Sequence, residues 1–265
     1  MKLCFSTLGC TEWELGKILK LASEYDIHAL EIRGIGGLMD NSQIPALAQE
    51  NSEATRTLFE TYRVKPHVLG TSCAFHAPEK WESAVEEGKA SIDIASRFEI
   101  PYIRVFGNRL IGDSATEQEK CYDLVTNGIA ELCRYAANTN VTVLLEVHGD
   151  YNTVETMGHV TDRLKSYSNF GLIWDIAHTS SYGDRWTDFY VAFRPLIRHV
   201  HIKDQINSPK KLTLPGKGEL PILAIAQRLQ ADGFDGFFSL EWEKKWHPEL
   251  PELPIALKAF VEMFQ

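Results

Sequence analysis

Short apolar runs rich in Val, Ile, Leu and Phe recur along the whole chain, and a segment of helical spacing follows each. The runs are KLCFST (2–7), HALEIR (28–33), VKPHVLG (64–70), YIRVFG (102–107), VTVLLEVH (141–148), FGLIWDIA (170–177), IRHVHIK (197–203) and GFFSLEW (236–242). Most are continuous, not alternating. A strand buried on both faces has this pattern, because no solvent side needs polar residues. Between the runs the period changes. In 13–25, Leu15, Ile18, Leu19 and Ala22 recur at intervals of three and four, which predicts an amphipathic helix. Segments 81–98, 116–138 and 219–230 and the stretch from Leu253 to Phe264 read the same way. Thr11, with Glu14 three residues on, predicts a capping box at the first helix. The acidic stretch 79–87 predicts a solvated helix face.

Eight such units in 265 residues average about 33 residues each, the size of a strand–helix repeat and the usual length of an α/β barrel. No Pro/Gly/Ser-rich linker divides them. The expectation is an α/β fold, a single (β/α)8 TIM barrel domain over 1–265. An open doubly wound sheet would want a G-x-G-x-x-G loop after an early strand, and GIGG at 34–37 is not one. Charge and cysteines narrow the function. Lys and Arg number 27 against 36 Asp and Glu, a net −9, which argues against nucleic acid as a partner. No apolar run approaches ~18 residues, so no membrane span is expected. MKLCFSTLGC at the start reads as a first strand and not as a signal peptide. Five cysteines with no C-x-x-C pair argue against a disulfide framework or a Cys-based zinc site and fit a reducing cytoplasm.

In an α/β barrel, polar residues at the C-terminal ends of strands face the active site. The last four runs end in LLEVHGD, IWDIAH, HVHIKD and SLEWE. Glu146, Asp175, His201 and Glu241 are thereby each embedded in apolar sequence at equivalent places in successive units. Any one alone reads equally well as a structural ion pair. Four convergent buried groups, three of them carboxylates, would repel one another, and one divalent metal ion resolves that cost. The oxygen-rich set favours Mn²⁺ over Mg²⁺, Co²⁺ or Zn²⁺.

LLEVH, WDIAH, HVHIKD, LPGKGELP (214–221) and FFSLEWE together resemble the xylose isomerase-like superfamily of sugar phosphate isomerases and epimerases. Inosose isomerases and dehydratases and an apurinic endonuclease branch belong to the same superfamily. The resemblance implies a divalent-metal-dependent isomerase or epimerase of a sugar, sugar phosphate or cyclitol, acting by proton transfer through a metal-bound enediolate. It implies that Glu146, Asp175, His201 and Glu241 are the ligands, and that Glu146 and Glu241 are also the catalytic pair moving protons on either side of the substrate. It makes His178 a substrate-hydroxyl contact. An inosose-type dehydratase on the same scaffold is the alternative. The endonuclease branch uses extra histidines on strands three and four and an Asp-x-His after strand seven; here stand Arg104 and HIKDQIN.

His148, two residues after Glu146, joins His178, Lys203 and Arg104 as the candidate substrate-binding set. Three of them have a competing structural reading: Lys203 paired to Asp204, His148 supporting the metal site, Arg104 filling the barrel. Glu31 and Arg33 share a strand face and read either as contacts to substrate hydroxyls or, in preference, as an inward Glu–Arg ion pair near the mouth. His67 and His76 read as structural or surface histidines. Trp174 and Trp242 adjoin ligands, so they should point away from the mouth and pack against helices. Trp13, Phe75, Tyr182 and Trp186 lie where they could overhang it. The Gly216-Lys217-Gly218 turn is either a phosphate-gripping nest or a tight lead into the next helix. A small-molecule sugar or cyclitol is the expected partner, and a homo-oligomer stays open.

Overall fold

A computed structural model of the protein describes residues 1–180 and 185–265. Barrel strands are β1 (Lys2–Ser6), β2 (Ala29–Ile32), β3 (Lys65–Ala74), β4 (Tyr102–Phe106), β5 (Thr142–Glu146), β6 (Phe170–Asp175) and β7 (Ile197–Ile202), and, after a hairpin, β10 (Phe237–Leu240). They close in the order β1-β10-β7-β6-β5-β4-β3-β2. Neighbouring strands run parallel, as β5 does on β6 and β10 on β7. All eight predicted strands are present, each within a few residues of its apolar run. The strand β6, FGLIWD, is buried at every position, as its lack of alternation predicts.

The sequence did not reveal the hairpin. Asp204–Asn207 (β8) and Lys210–Thr213 (β9) pair antiparallel directly after β7. Their residues are largely exposed beyond Gln205, so no apolar run marks them.

Helices connect the strands: α1 (Leu15–Glu24), α2 (Ser52–Tyr62), α3 (Trp81–Arg97), α4 (Ala115–Tyr135), α5 (Val154–Leu164), α6 (Ile176–Ser180), α7 (Trp186–Phe193), α8 (Ile222–Ala231) and α9 (Leu253–Met263). The expected cap at Thr11 is corrected. Residues Thr7–Cys10 form a 3-10 turn that Thr11 closes, and α1 starts from Glu14 with no side-chain cap. A true capping box opens α4. There the Ser114 hydroxyl accepts from the Glu117 amide at 3.3 Å, and the Glu117 carboxylate accepts from the Ser114 amide at 3.1 Å. The acidic face at 79–87 is solvated at Glu79, Glu82 and Glu86. Among the described residues, no helix is long and apolar enough to cross a membrane.

The chain divides into two compact units, Met1–Val68 with His199–Gln265, and Leu69–Arg198. Both boundaries fall inside barrel strands. The first unit buries Phe5, Ile18, Leu19, Phe238 and Phe260, each at most 2% exposed. In it His67 packs on Phe237, with ring centroids 4.4 Å apart. Burial first, and then His199, push the His67 imidazole down to about 3, so it is a neutral structural histidine. The second unit is built around Trp174, Tyr151, Phe170 and Phe189. Phe75 belongs to this core and does not overhang a mouth: its ring lies against Gly128, where any Cβ would collide with it. Trp186, half-buried, begins α7, and Tyr182 lies outside the described residues.

Candidate active site

In the first unit the register sets the polar residues. Ser239 on β10 pairs with His201 on β7, and Leu240 with Ile202. The ladder continues through the Glu241 amide, which donates to the Ile202 carbonyl at 2.9 Å. Glu241 and Lys203, one residue beyond each strand, therefore come side by side. Lys203 Nζ donates to Glu241 Oε2 at 2.8 Å and also bonds Glu243. Glu241 Oε1 lies 3.4 Å from His201 Nδ1. The other ring nitrogen of His201, Nε2, is 2.9 Å from Glu31 Oε2. That oxygen also takes His199 Nε2 at 3.1 Å and the Ser239 hydroxyl at 3.1 Å. Glu31, His199 and His201 are 0% exposed. Burial raises the Glu31 carboxyl, but the two imidazoles outweigh it and hold it well below the ordinary range. These three residues form a cluster whose ligand atoms lie within 4.8 Å of one another.

In the second unit, Glu146 on β5 sits opposite Ile173 on β6, and Asp175 ends that strand two residues further on. Arg104 Nη1 lies 3.0 Å from Glu146 Oε2, and Arg104 Nη2 donates to the Thr71 carbonyl at 3.0 Å. Asp175 Oδ1 accepts the amides of Ala177 and His178 at 2.8 and 3.2 Å. The first amides of α6 thus fix the rotation of this carboxylate. His148 and His178 meet at the same end with tilted rings, centroids 4.3 Å apart, and Phe106 meets His148 edge-on at 5.0 Å.

Two alternatives left open by the sequence are thereby decided. Lys203 pairs with Glu241 and Glu243, not with Asp204. Asp204 is itself buried and organises the glycine turn. Its Oδ2 accepts the amides of Gly216 and Gly218 at 2.9 and 2.8 Å, and its Oδ1 those of Gln205 and Leu220 at 2.9 and 3.3 Å. The N–H groups that could have gripped a phosphate are spent on this carboxylate. Gly218 approaches it so closely that a Cβ would collide with Oδ1. The Asp204→Ala variant should lose about 1–3 kcal/mol of stability, because buried donors are left unpaired. Urea unfolding together with hydrogen exchange at Gly216 and Gly218 checks this; unchanged midpoint and protection would refute it.

The predicted Glu31–Arg33 pair is also corrected. Glu31 turns to the histidines of β7, while Arg33 Nη1 donates to the Met39 carbonyl at 3.2 Å. Trp174 and Trp242 do pack away from the polar residues. Trp174 stacks on Phe189 and Tyr190 of α7, and Trp242 Nε1 donates to the Pro251 carbonyl at 2.8 Å. Trp13 is half-buried under the Lys17 ammonium, which lies 3.5 Å from the ring centroid. It lines a cleft of about 430 Å³ together with Lys244, Lys245 and Glu252. Burial pushes the thiols of Cys10, Cys73 and Cys133 up to about 12, which leaves them no role as thiolates.

A family model described as Xylose isomerase-like TIM barrel matches residues 19–260. The chain belongs to this family. Solved structures of xylose isomerase-like proteins share the fold. The probable 3-DHS dehydratase AsbF, involved in petrobactin synthesis in Bacillus anthracis, superposes with a TM-score of 0.81 at 18% identity, covering 100% of this chain and 98% of its own. The 3-keto-D-glucoside 4-epimerase YcjR from E. coli gives 0.77 at 17% identity, covering 100% and 98%. The IolI protein, solved with a bound zinc atom, gives 0.76 at 23% identity, covering 99% and 97%. Among curated proteins none matches the sequence significantly.

Within this xylose isomerase-like barrel, acidic and histidine side chains cluster as a possible metal site. The residues that sequence reasoning undervalued are Glu31 and His199. The signal for His199 was available, since HVH places it on the same strand face as His201. No local signal could tie Glu31 to them, because 170 positions separate it from His201.

Proposed function

We propose that this protein is a divalent-metal-dependent isomerase or epimerase of a sugar, sugar phosphate or cyclitol, in which Glu146, Asp175, His201 and Glu241 hold the ion. One observation carries the reading: the four end successive barrel strands, Glu146 and Asp175 on the neighbouring β5 and β6 of one unit, His201 and Glu241 at β7 and β10 of the other, where Glu241 Oε1 lies 3.4 Å from His201 Nδ1. All four are buried. The donor set fits a cation on chemical grounds. Three carboxylates and one imidazole gathered out of water repel one another without a positive charge among them. Arg104 and Lys203 supply part of that charge, one beside Glu146 and one beside Glu241. The hard, oxygen-rich set favours Mn²⁺, with Mg²⁺, Co²⁺ and Zn²⁺ as substitutes. When bound, the ion would polarise a substrate carbonyl and its neighbouring hydroxyl.

The chain's own groups supply the rest. Glu146 and Glu241 are the proton carriers, one removing a carbon-bound proton and the other returning one. Arg104 and Lys203 hold these carboxylates in place and face the substrate. His148 and His178 offer imidazole nitrogens to substrate hydroxyls. The five cysteines, free and buried, support a reducing, cytoplasmic setting. A small molecule is the partner in this reading, and nucleic acid is not.

The imidazole pair favours a second reading. In contact at 4.3 Å between ring centroids, with His178 beside Asp175, His148 and His178 could protonate a departing hydroxyl, as a dehydratase requires. The fold shared with AsbF, a probable 3-DHS dehydratase, supports the same possibility. One experiment separates the readings. The Mn²⁺-loaded protein is incubated with a panel of ketoses, inososes and hydroxylated cyclic ketones in D₂O and followed by NMR. Deuterium at carbons next to the carbonyl of isomerised or recovered sugar supports the first reading. An unsaturated product with loss of water supports the second. Neither outcome across the panel, with stoichiometric metal bound, would sink both.

A further inference from the structure

We propose that Glu31 is a positioning residue that fixes the histidine ligand His201 so that Nδ1 faces the metal ion. The inference rests on the metal reading above. Glu31 stands on β2, and its Oε2 meets Nε2 of His201 at 2.9 Å. A neutral imidazole carries one N–H and one lone pair, and a carboxylate can only accept. The contact therefore keeps the proton on Nε2 and leaves the lone pair on Nδ1. Nδ1 is also the nitrogen that lies 3.4 Å from Glu241 Oε1, on the side of the other acidic ligand. Metal-bound histidines are oriented by just such an acceptor on the far ring nitrogen.

Glu31 is itself held for this task. His199 Nε2 at 3.1 Å and the Ser239 hydroxyl at 3.1 Å converge on the same oxygen. His199 and His201 alternate on one face of β7, and Ser239 is the register partner of His201 on β10. Three neighbours on two adjacent strands thus fix one carboxylate that reaches from β2. Glu31 is fully buried, and it reaches the proposed ion through its bond to His201.

The test is metal affinity and the tautomer of His201. Glu31→Gln keeps the shape and removes the charge, and the dissociation constant for Zn²⁺, measured by competition with a chromophoric chelator, should rise about 10–100-fold. Ser239→Ala, which removes one of the three groups holding Glu31 but leaves the His201 contact, should raise it by a smaller factor. A long-range ¹H–¹⁵N correlation spectrum of the Zn²⁺-loaded wild-type protein should place the proton of His201 on Nε2 and the metal-induced shift on Nδ1. A folded Glu31→Gln protein with unchanged affinity overturns the inference. So does a His201 proton found on Nδ1, and that spectrum decides the matter even where the variant does not fold. His201→Ala separates the two levels: if it retains stoichiometric Zn²⁺, the metal reading itself fails, whereas its loss beside an unaffected Glu31→Gln protein refutes only the role of Glu31.

Discussion

Replacing Glu241 by glutamine is expected to slow proton exchange between substrate and solvent by about 10²–10⁴-fold, the range for removing a positioned acid or base. The substitution changes almost no volume. Glu241 is buried, follows β10 directly, and has its two oxygens committed differently: Oε2 to Lys203 at 2.8 Å, and Oε1 toward His201 Nδ1 at 3.4 Å. An amide there can neither take a proton from carbon nor offer a full negative charge to a cation. Lys203 keeps Glu243 as its counter-ion, so the variant has no buried unpaired charge to unfold it. Affinity for metal should fall as well, and the exchange rate is therefore measured at saturating Mn²⁺. A variant that exchanges near the wild-type rate under those conditions would remove Glu241 from the role of proton carrier. Glu146→Gln should behave similarly, with Arg104 losing the partner it now has at 3.0 Å.

The largest loss of stability is expected from Trp174→Ala. Trp174 is 0% exposed. Its ring stacks on Phe189 and Tyr190, each centroid 5.8 Å away. Its Nε1 donates to the Thr179 hydroxyl at 2.9 Å. Truncation of such a side chain costs about 3–5 kcal/mol, which for a chain of this length lowers the melting temperature by roughly 10 °C or more. Trp174→Phe should recover part of that, because it keeps the stacking and loses the hydrogen bond. The neighbouring Asp175 is turned by the amides of Ala177 and His178, not by the indole. Metal affinity should therefore change far less than stability. Thermal unfolding and metal titration on the same preparations check both statements, and a melting temperature within a degree or two of wild type would refute the first.

Much of this architecture is legible in the amino-acid sequence. The strands of an α/β barrel are buried on both faces, so each writes a continuous apolar run, and the eight runs of this chain all became barrel strands. The same burial made the ligand candidates conspicuous. Glu146, Asp175, His201 and Glu241 stand out because a charged or imidazole group at the end of an apolar run needs a reason. The outward packing of Trp174 and Trp242 followed from the alternation of side chains along a strand. Features that depend on hydrogen bonds between distant positions were not legible. Thr11 with Glu14 had the spacing of a capping box, yet a 3-10 turn took Thr11. The β8–β9 hairpin has few buried residues and so wrote no pattern. The glycine turn at 216–218 looked like a nest for an anion, and only its contact with Asp204 showed the anion to be the protein's own.

The sequence by itself determined the order and type of the barrel elements and the residue types at the strand ends, because both are consequences of local periodicity and of the cost of burying charge. Tertiary structure alone decided the partners. Glu31 leaves its strand neighbour Arg33 and reaches His199 and His201, Lys203 turns from Asp204 to Glu241 and Glu243, and Arg104 takes Glu146. The physical reason is range. Periodicity acts over a few residues, whereas closing the barrel brings strands together that are far apart in the chain, and a buried charge pairs with whatever the register places within about 3 Å.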